Sequence, residues 1–320
     1  MYLINAFYLI RQGIIGRTSR IKGTVTFAHI IHQLSTIVCY NLLMGIPKRR
    51  LGKTGIDVTI LGLGGEGILR TYGQDKEAYD LINMSIDLGI TYLESARAYS
   101  GSESYYGKAL RERRKDIFLA SKSHARDKKG ALHHLRETLN NMKTDYLDLW
   151  QVHDVRTKED VEAIFGPEGA LEAFREARDK GFVRYLGVTG HHDPSILLGC
   201  IERFHFDTVL LPVNPAEPAY KSFIDEVIPA ANKKGMGIIG MKVYFRGLAT
   251  RLPGVTSLER FYRYALSQSI TTAVIGCDDL LQLKENVRFA TYFQAMPIKE
   301  QRELVDAVSL HARQLMYYKP

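Results

Sequence analysis

The chain has 320 residues, 24% of them charged and 45% hydrophobic, with a formal net charge of +8. That composition excludes a disordered chain, 27 glycines exclude a collagen, and three cysteines (Cys39, Cys200, Cys277) with no CxxC pair exclude a disulfide scaffold, a zinc ribbon or an iron–sulfur module. Half of the net charge sits in residues 1–43, where Arg11, Arg17, Arg20 and Lys22 face no acidic residue, so the rest is only mildly basic and gives no reason to expect nucleic acid.

Between Lys22 and Lys48 no residue is charged, a stretch long enough to cross a bilayer. Thr24, Thr26, His29, His32, Gln33, Ser35, Thr36 and Asn41 interrupt it, however, and each is costly in hydrocarbon. Phe27, Ile30, Ile31, Leu34, Ile37 and Val38 instead follow the i, i+3, i+4 spacing of one helical face, which fits an amphipathic helix on a membrane surface. The favoured alternative is that Met44 is the true start and residues 1–43 are upstream sequence, because an orderly domain pattern begins at Gly45. Residues 44–320 are expected to form one cytoplasmic domain without membrane association.

Arg50 to Val58 carries a glycine-bearing turn between short extended runs, which predicts a hairpin plugging the base of a barrel. Eight β-branched, near-continuous apolar runs follow, at 60–64, 90–94, 117–121, 146–152, 183–188, 208–213, 236–241 and 272–276. Helical patterns such as Asp75–Leu88 and Glu168–Lys180 separate them, so the strands are parallel and buried on both faces. Eight such units in about 250 residues is the arithmetic of an α/β (β/α)8 TIM barrel. An open doubly wound sheet would prefer a GxGxxG turn after its first strand, which Gly62–Gly67 does not supply. A last helix is predicted over 297–317.

Chemistry in such barrels sits at the C-terminal strand ends. Glu94 ends the second barrel strand, Lys122 the third and His153 the fourth, with Tyr99 in the loop after Glu94. An ordinary phenol titrates too high to give up a proton readily at neutral pH, and a nearby ammonium would lower it while a carboxylate orients the ammonium. A neutral imidazole could donate to a carbonyl oxygen as charge develops on it. This set protonates an oxygen and has no hydride of its own, so carbonyl reduction would need a cofactor.

The segment Gly89–Tyr99, with Ser102-Glu103 and Gly107–Leu110, resembles the aldo-keto reductase superfamily. So do Ala120–Lys122, Asp145–His153, Lys180–Thr189 and Gln282–Asn286, all in order along the chain. The resemblance implies NADPH- or NADH-dependent reduction of a small-molecule carbonyl. It makes Tyr99 the general acid, Lys122 its pKa tuner, His153 the carbonyl orienter and Glu94 the carboxylate partner, with NADPH the family's habit. The rival reading is a redox-sensing module that holds cofactor with little turnover.

The chain also departs from the family. Glu94 is one methylene longer than the family's aspartate, the nicotinamide-contacting glutamine falls at Leu210, and Thr189-Gly190-His191 replaces a serine–asparagine pair. Asn214 is retained, and Met241 stands where an aromatic commonly stacks on the nicotinamide. Lys242 and Arg246 are placed to meet a pyrophosphate, and Gly276-Cys277-Asp278-Asp279 precedes a helix whose N-terminus favours an anion. Gln282, Glu285 and Asn286 match positions around the adenosine. Asp278 and Asp279 would repel a 2′-phosphate, favouring NADH, or cap the helix. Tyr72, Tyr244, Phe245 and His191 are candidate substrate liners. The pairs His133-His134 and His191-His192 are read as surface residues, since neighbouring histidines rarely converge on one metal ion.

Overall fold

The computed structural model describes residues 45–320, so the expectations about residues 1–43 and a start at Met44 lie outside the described residues. Two short antiparallel strands come first, β1 (Lys48–Arg50) and β2 (Asp57–Thr59). The eight strands that follow are β3 (Leu61–Gly67), β4 (Tyr92–Glu94), β5 (Phe118–Ser123), β6 (Leu147–Val152), β7 (Val183–Thr189), β8 (Thr208–Pro212), β9 (Gly237–Met241) and β10 (Thr272–Cys277). All pair in parallel and β10 returns to β3, closing the barrel. Each predicted run is a strand, because continuous apolar β-branched sequence suits a surface buried on both sides.

The hairpin closes the floor as expected. Leu51 is fully buried and packs with Val58 on Tyr92, Phe118, Ala120, Leu149, Leu210 and Ile239, the inward-facing layer of the barrel. Gly237 makes room for it, since a Cβ there would lie 2.5 Å from Leu51 Cδ1. The Lys53 amide donates to the Gly235 carbonyl and the Tyr185 hydroxyl to the Thr54 carbonyl, fixing the plug to β7 and to the turn before β9.

The outer helices are α1 (Asp75–Asp87), α2 (Ser102–Ala109), α3 (Lys128–Met142), α4 (Lys158–Phe165), α5 (Ala170–Asp179), α6 (Pro194–Arg203), α7 (Phe223–Lys234), α8 (Glu259–Ser267) and α9 (Leu280–Thr291). They bury the outward strand residues; Trp150 of β6, for example, stacks on Phe174 of α5 at 3.7 Å between ring centroids. Glu103 of α2 accepts from Ser121 Oγ (2.8 Å) and Thr138 Oγ1 (2.7 Å), tying α2 to β5 and α3.

The helix predicted over 297–317 is broken into α10 (Ile298–Ser309) and α11 (Ala312–Leu315). After the break the chain turns inward, and the reason lies beneath it. Glu217 is fully buried after β8, where it accepts from Lys319 Nζ (2.7 Å) and the Tyr318 hydroxyl (2.7 Å). Lys319 Nζ also donates to the carbonyls of Tyr220 and Lys221, so the ammonium is satisfied in a place an uninterrupted helix would not reach.

Candidate active site

Strands β4, β5 and β6 end side by side, in register Glu94↔Ala120 and Lys122↔Gln151, and this brings the expected residues together. Lys122 Nζ donates to Glu94 Oε1 at 2.6 Å and to the Ser95 carbonyl at 2.8 Å, with both side chains buried. The longer side chain of Glu94 therefore still reaches the lysine. Its second oxygen accepts from the Tyr92 hydroxyl and from Gln151 Nε2, each at 3.0 Å. Tyr92 lies two residues before Glu94 and so faces the same side of β4, the alternation by which sequence could have found it.

Tyr99 lies above this pair. Lys122 Nζ is 5.0 Å from its ring centroid, the Arg70 guanidinium 4.8 Å from the same point, and His153 meets it edge-on at 5.8 Å. No described residue forms a hydrogen bond with the Tyr99 hydroxyl, which leaves it free toward the cleft. The expected lowering of this phenol by Lys122 is not what the site produces. Burial pushes Tyr99 well above its ordinary value, and the carboxylates of Glu66 and Glu94 add to the rise, because Glu94 already neutralises the lysine. Burial and the Lys122 charge hold His153 well below the ordinary imidazole range, so it is neutral.

A cleft of about 710 Å³ opens over Glu94 and Tyr99 and runs across β3, β9 and β10 to the start of α9. Met241, Lys242, Arg246, Gly276, Asp278, Gln282, Glu285 and Asn286 all line it, as does Leu210. Thr189 and Asn214 do not. Both are buried and taken up by the protein, Thr189 Oγ1 accepting from the Asp154 amide (2.8 Å) and Asn214 Nδ2 donating to the Tyr318 hydroxyl (2.9 Å). Of the candidate substrate liners, Phe245 is fully buried and Tyr72 is exposed. Tyr244 lines the cleft and donates to Asn286 Oδ1 at 2.8 Å. Asp279 caps α9 by accepting from the amides of Leu281 and Gln282, whereas Asp278 is on the cleft wall. Cys277 is buried with its thiol pushed up to about 12, hence inert.

Glu66, hidden in a run of glycines, is the main residue that sequence did not single out. It pairs with Arg70 (2.7 Å) and Arg246 (3.5 Å) on the cleft wall. Burial would raise its carboxyl, but Lys242, Arg246 and Arg70 overrule that and hold it below the ordinary value. Lys242 has no carboxylate within 4.0 Å among the described residues, and burial lowers its ammonium. Lys242, Phe245 and Arg246 adopt left-handed backbone (φ 60°, 53° and 54°), a strain that recurs at ligand-binding segments.

The sequence model of the Aldo/keto reductase family matches residues 60–253. The chain belongs to that family. It is 23% identical to the uncharacterized oxidoreductase YqkF of Bacillus subtilis (strain 168), over 84% of this chain and 98% of that protein. It is 22% identical to L-galactose dehydrogenase of Arabidopsis thaliana, over 80% of this chain and 92% of that one. Among solved structures, aldo-keto reductase AKR11C1 from Bacillus halodurans in its holo form shares the fold with a TM-score of 0.69, at 24% identity over 82% of this chain and 96% of that chain. An aldo-keto reductase from Klebsiella pneumoniae in complex with NADPH aligns with a TM-score of 0.65 at 19% identity, over 83% of this chain and 96% of that chain. This aldo-keto reductase is thus an NAD(P)H-dependent oxidoreductase built on a closed (β/α)8 barrel. No helix among the described residues is long and apolar enough to cross a membrane.

Proposed function

We propose that this reductase converts an aldehyde or ketone to an alcohol, with Tyr99 as the proton donor. The observation that carries this reading is the unspent Tyr99 hydroxyl facing a cleft beside a buried Lys122–Glu94 pair and a neutral His153. A dinucleotide fits the donor set. Lys242 and Arg246 offer positive charge on strained backbone, Gly276 keeps the β10 end slim, and the N-terminus of α9 faces the far end of the cleft. A Cβ on Gly276 would meet the Glu66 backbone at 2.7 Å.

Hydride for the carbonyl carbon would come from a nicotinamide held by Lys242, Arg246 and the N-terminus of α9. His153, neutral, donates a hydrogen bond to the carbonyl oxygen and orients it. As the C–O π bond becomes a lone pair on oxygen, the Tyr99 O–H bond breaks and its proton moves to that oxygen. The high pKa of Tyr99 is no obstacle, since an alkoxide is a far stronger base than a phenolate. Arg70, 4.8 Å from the Tyr99 ring centroid, is the charge that opposes the rise and stabilises the phenolate left behind, while Glu94 holds Lys122 against the same ring. The expected outcome for Tyr99→Phe is a fall in turnover of about 100- to 10,000-fold, the usual range for a lost general acid. Cofactor binding, followed by fluorescence titration, should be retained. Equal NAD(P)H oxidation by wild type and Tyr99→Phe across a panel of aldehydes would overturn the reading.

NADPH is the family's habit, but α9 and the turn before it contribute Asp278 and Glu285 to the cleft and no Lys or Arg, the cleft's Lys242 and Arg246 coming from the segment after β9. Asp278→Ala is therefore expected to shift the ratio of KM values toward NADPH. An unchanged ratio would show that Asp278 does not face the ribose.

A further inference from the structure

His191 and His192, adjacent at the end of β7 and read above as surface residues, come together with Asp154, the residue after His153. One ligand atom from each of the three side chains lies within 4.8 Å of the others. We propose that Asp154, His191 and His192 form a binding site for one divalent transition-metal cation of the Zn2+ or Co2+ class.

Asp154 is built to present one oxygen. Its backbone is left-handed (φ 55°) and is held there from both sides, its amide donating to Thr189 Oγ1 (2.8 Å) and its carbonyl accepting from Arg126 Nη2 (2.8 Å). Oδ2 is occupied by Arg156, whose Nε donates to it at 2.7 Å. Oδ1 is buried and has no hydrogen-bond partner, a costly arrangement for a carboxylate oxygen and one that a cation would relieve. His191 Nδ1 lies 3.3 Å from Oδ1. Metal–ligand bonds of about 2.0–2.2 Å set donor–donor edges of about 3.3 Å in a tetrahedral site, so this pair already has the required separation.

The His191 ring is held edge-on by Tyr318, with centroids 5.9 Å apart at 81°. His192 is only partly buried, so its ring can swing the remaining distance and the fourth position opens to solvent. Two imidazoles with one carboxylate select borderline metals over Mg2+ or Ca2+, which prefer oxygen ligands alone. Arg156 acts as the outer-shell partner that orients the ligating carboxylate. Arg156 and Lys242 also place positive charge nearby, which favours reversible over very tight binding.

The test uses Co2+ as probe on the full chain without an affinity tag, following its visible d–d absorption, with Zn2+ as competitor. Wild type is expected to bind one Co2+ per chain and release it to Zn2+. His192→Ala and Asp154→Asn should each bind at least about tenfold more weakly, the loss that outer-shell changes alone can cause. His133→Ala, in the other adjacent pair on α3, should bind as wild type does. No saturable band with folded wild type would overturn the proposal, as would His192→Ala binding as tightly as wild type, which places the cation elsewhere. Circular dichroism establishes that each variant is folded. Should Asp154→Asn fail to fold, the partly exposed His192 decides the question alone.

Discussion

Glu94 takes three hydrogen bonds from three different side chains, of which Lys122 is the one that is itself a buried charge. Glu94→Gln leaves the Lys122 ammonium buried without its counter-charge. A loss of about 3–5 kcal/mol in urea unfolding is expected. The double variant Glu94→Gln/Lys122→Met should be more stable than Glu94→Gln alone, since removing both charges also removes the desolvation cost. A double variant that is less stable would mean that the pair acts through packing. At this scale the sequence was informative where chemistry recurs once per strand: Tyr99, Lys122, His153 and Glu94 were placed by strand-end spacing. It was silent on Glu66 and Arg70, whose roles depend on which loops fold over the cleft. It also misjudged the Tyr99 pKa, because the rise comes first from burial, which strand-end spacing does not report.

Helices and strands were legible to within a few residues wherever apolar period and burial agreed. The C-terminal helix is the exception. Leu304, Val308, Ala312 and Leu315 continue a helical period through the break, so nothing local announces it. The break follows from a distant ion pair, Lys319 with Glu217, buried on both sides. Burial alone raises the Glu217 carboxyl and lowers the Lys319 ammonium, so each depends on the other for its charge. Lys319→Met is therefore expected to cost about 3–5 kcal/mol, measured as a shift in the urea midpoint, although Lys319 is the next-to-last residue of the chain. Packing between elements is equally unforgiving at Gly107 of α2, where a Cβ would lie 2.0 Å from the Asn141 carbonyl oxygen of α3. Gly107→Ala should destabilise by about 1–3 kcal/mol through helix displacement.

The described residues form a barrel sealed below by Leu51 and open above at the cleft. Leu51→Ala would leave a cavity under the inward layer, and a loss of about 2–5 kcal/mol in thermal or urea unfolding is expected, with little change at the cleft. Acid should weaken the fold as well. Burial, followed by the charge of Lys122, lowers His153; burial and neighbouring Arg126 and Arg97 lower His124; burial and His124 lower His134. With folded values below the unfolded value of about 6.5, stability is fully present above that pH. It falls as the unfolded chain takes up protons the folded chain resists. The urea midpoint should be lower at about pH 5 than at about pH 7.5, and a flat profile would contradict this. Barrel closure itself was readable from eight apolar runs, whereas the sealing hairpin's contacts were not, since they join residues far apart in the chain.

Lys242, Phe245 and Arg246 hold side chains on backbone that glycine would adopt at lower cost, about 1 kcal/mol or more at each position. On the reading proposed above, two of these three side chains are the cations that meet a dinucleotide. Glycine at either position would thus give a sturdier barrel with a poorer grip on its cofactor. A library of variants selected for survival of heat and the same library selected for retention of NAD(P)H should therefore enrich opposite codons at 242 and 246.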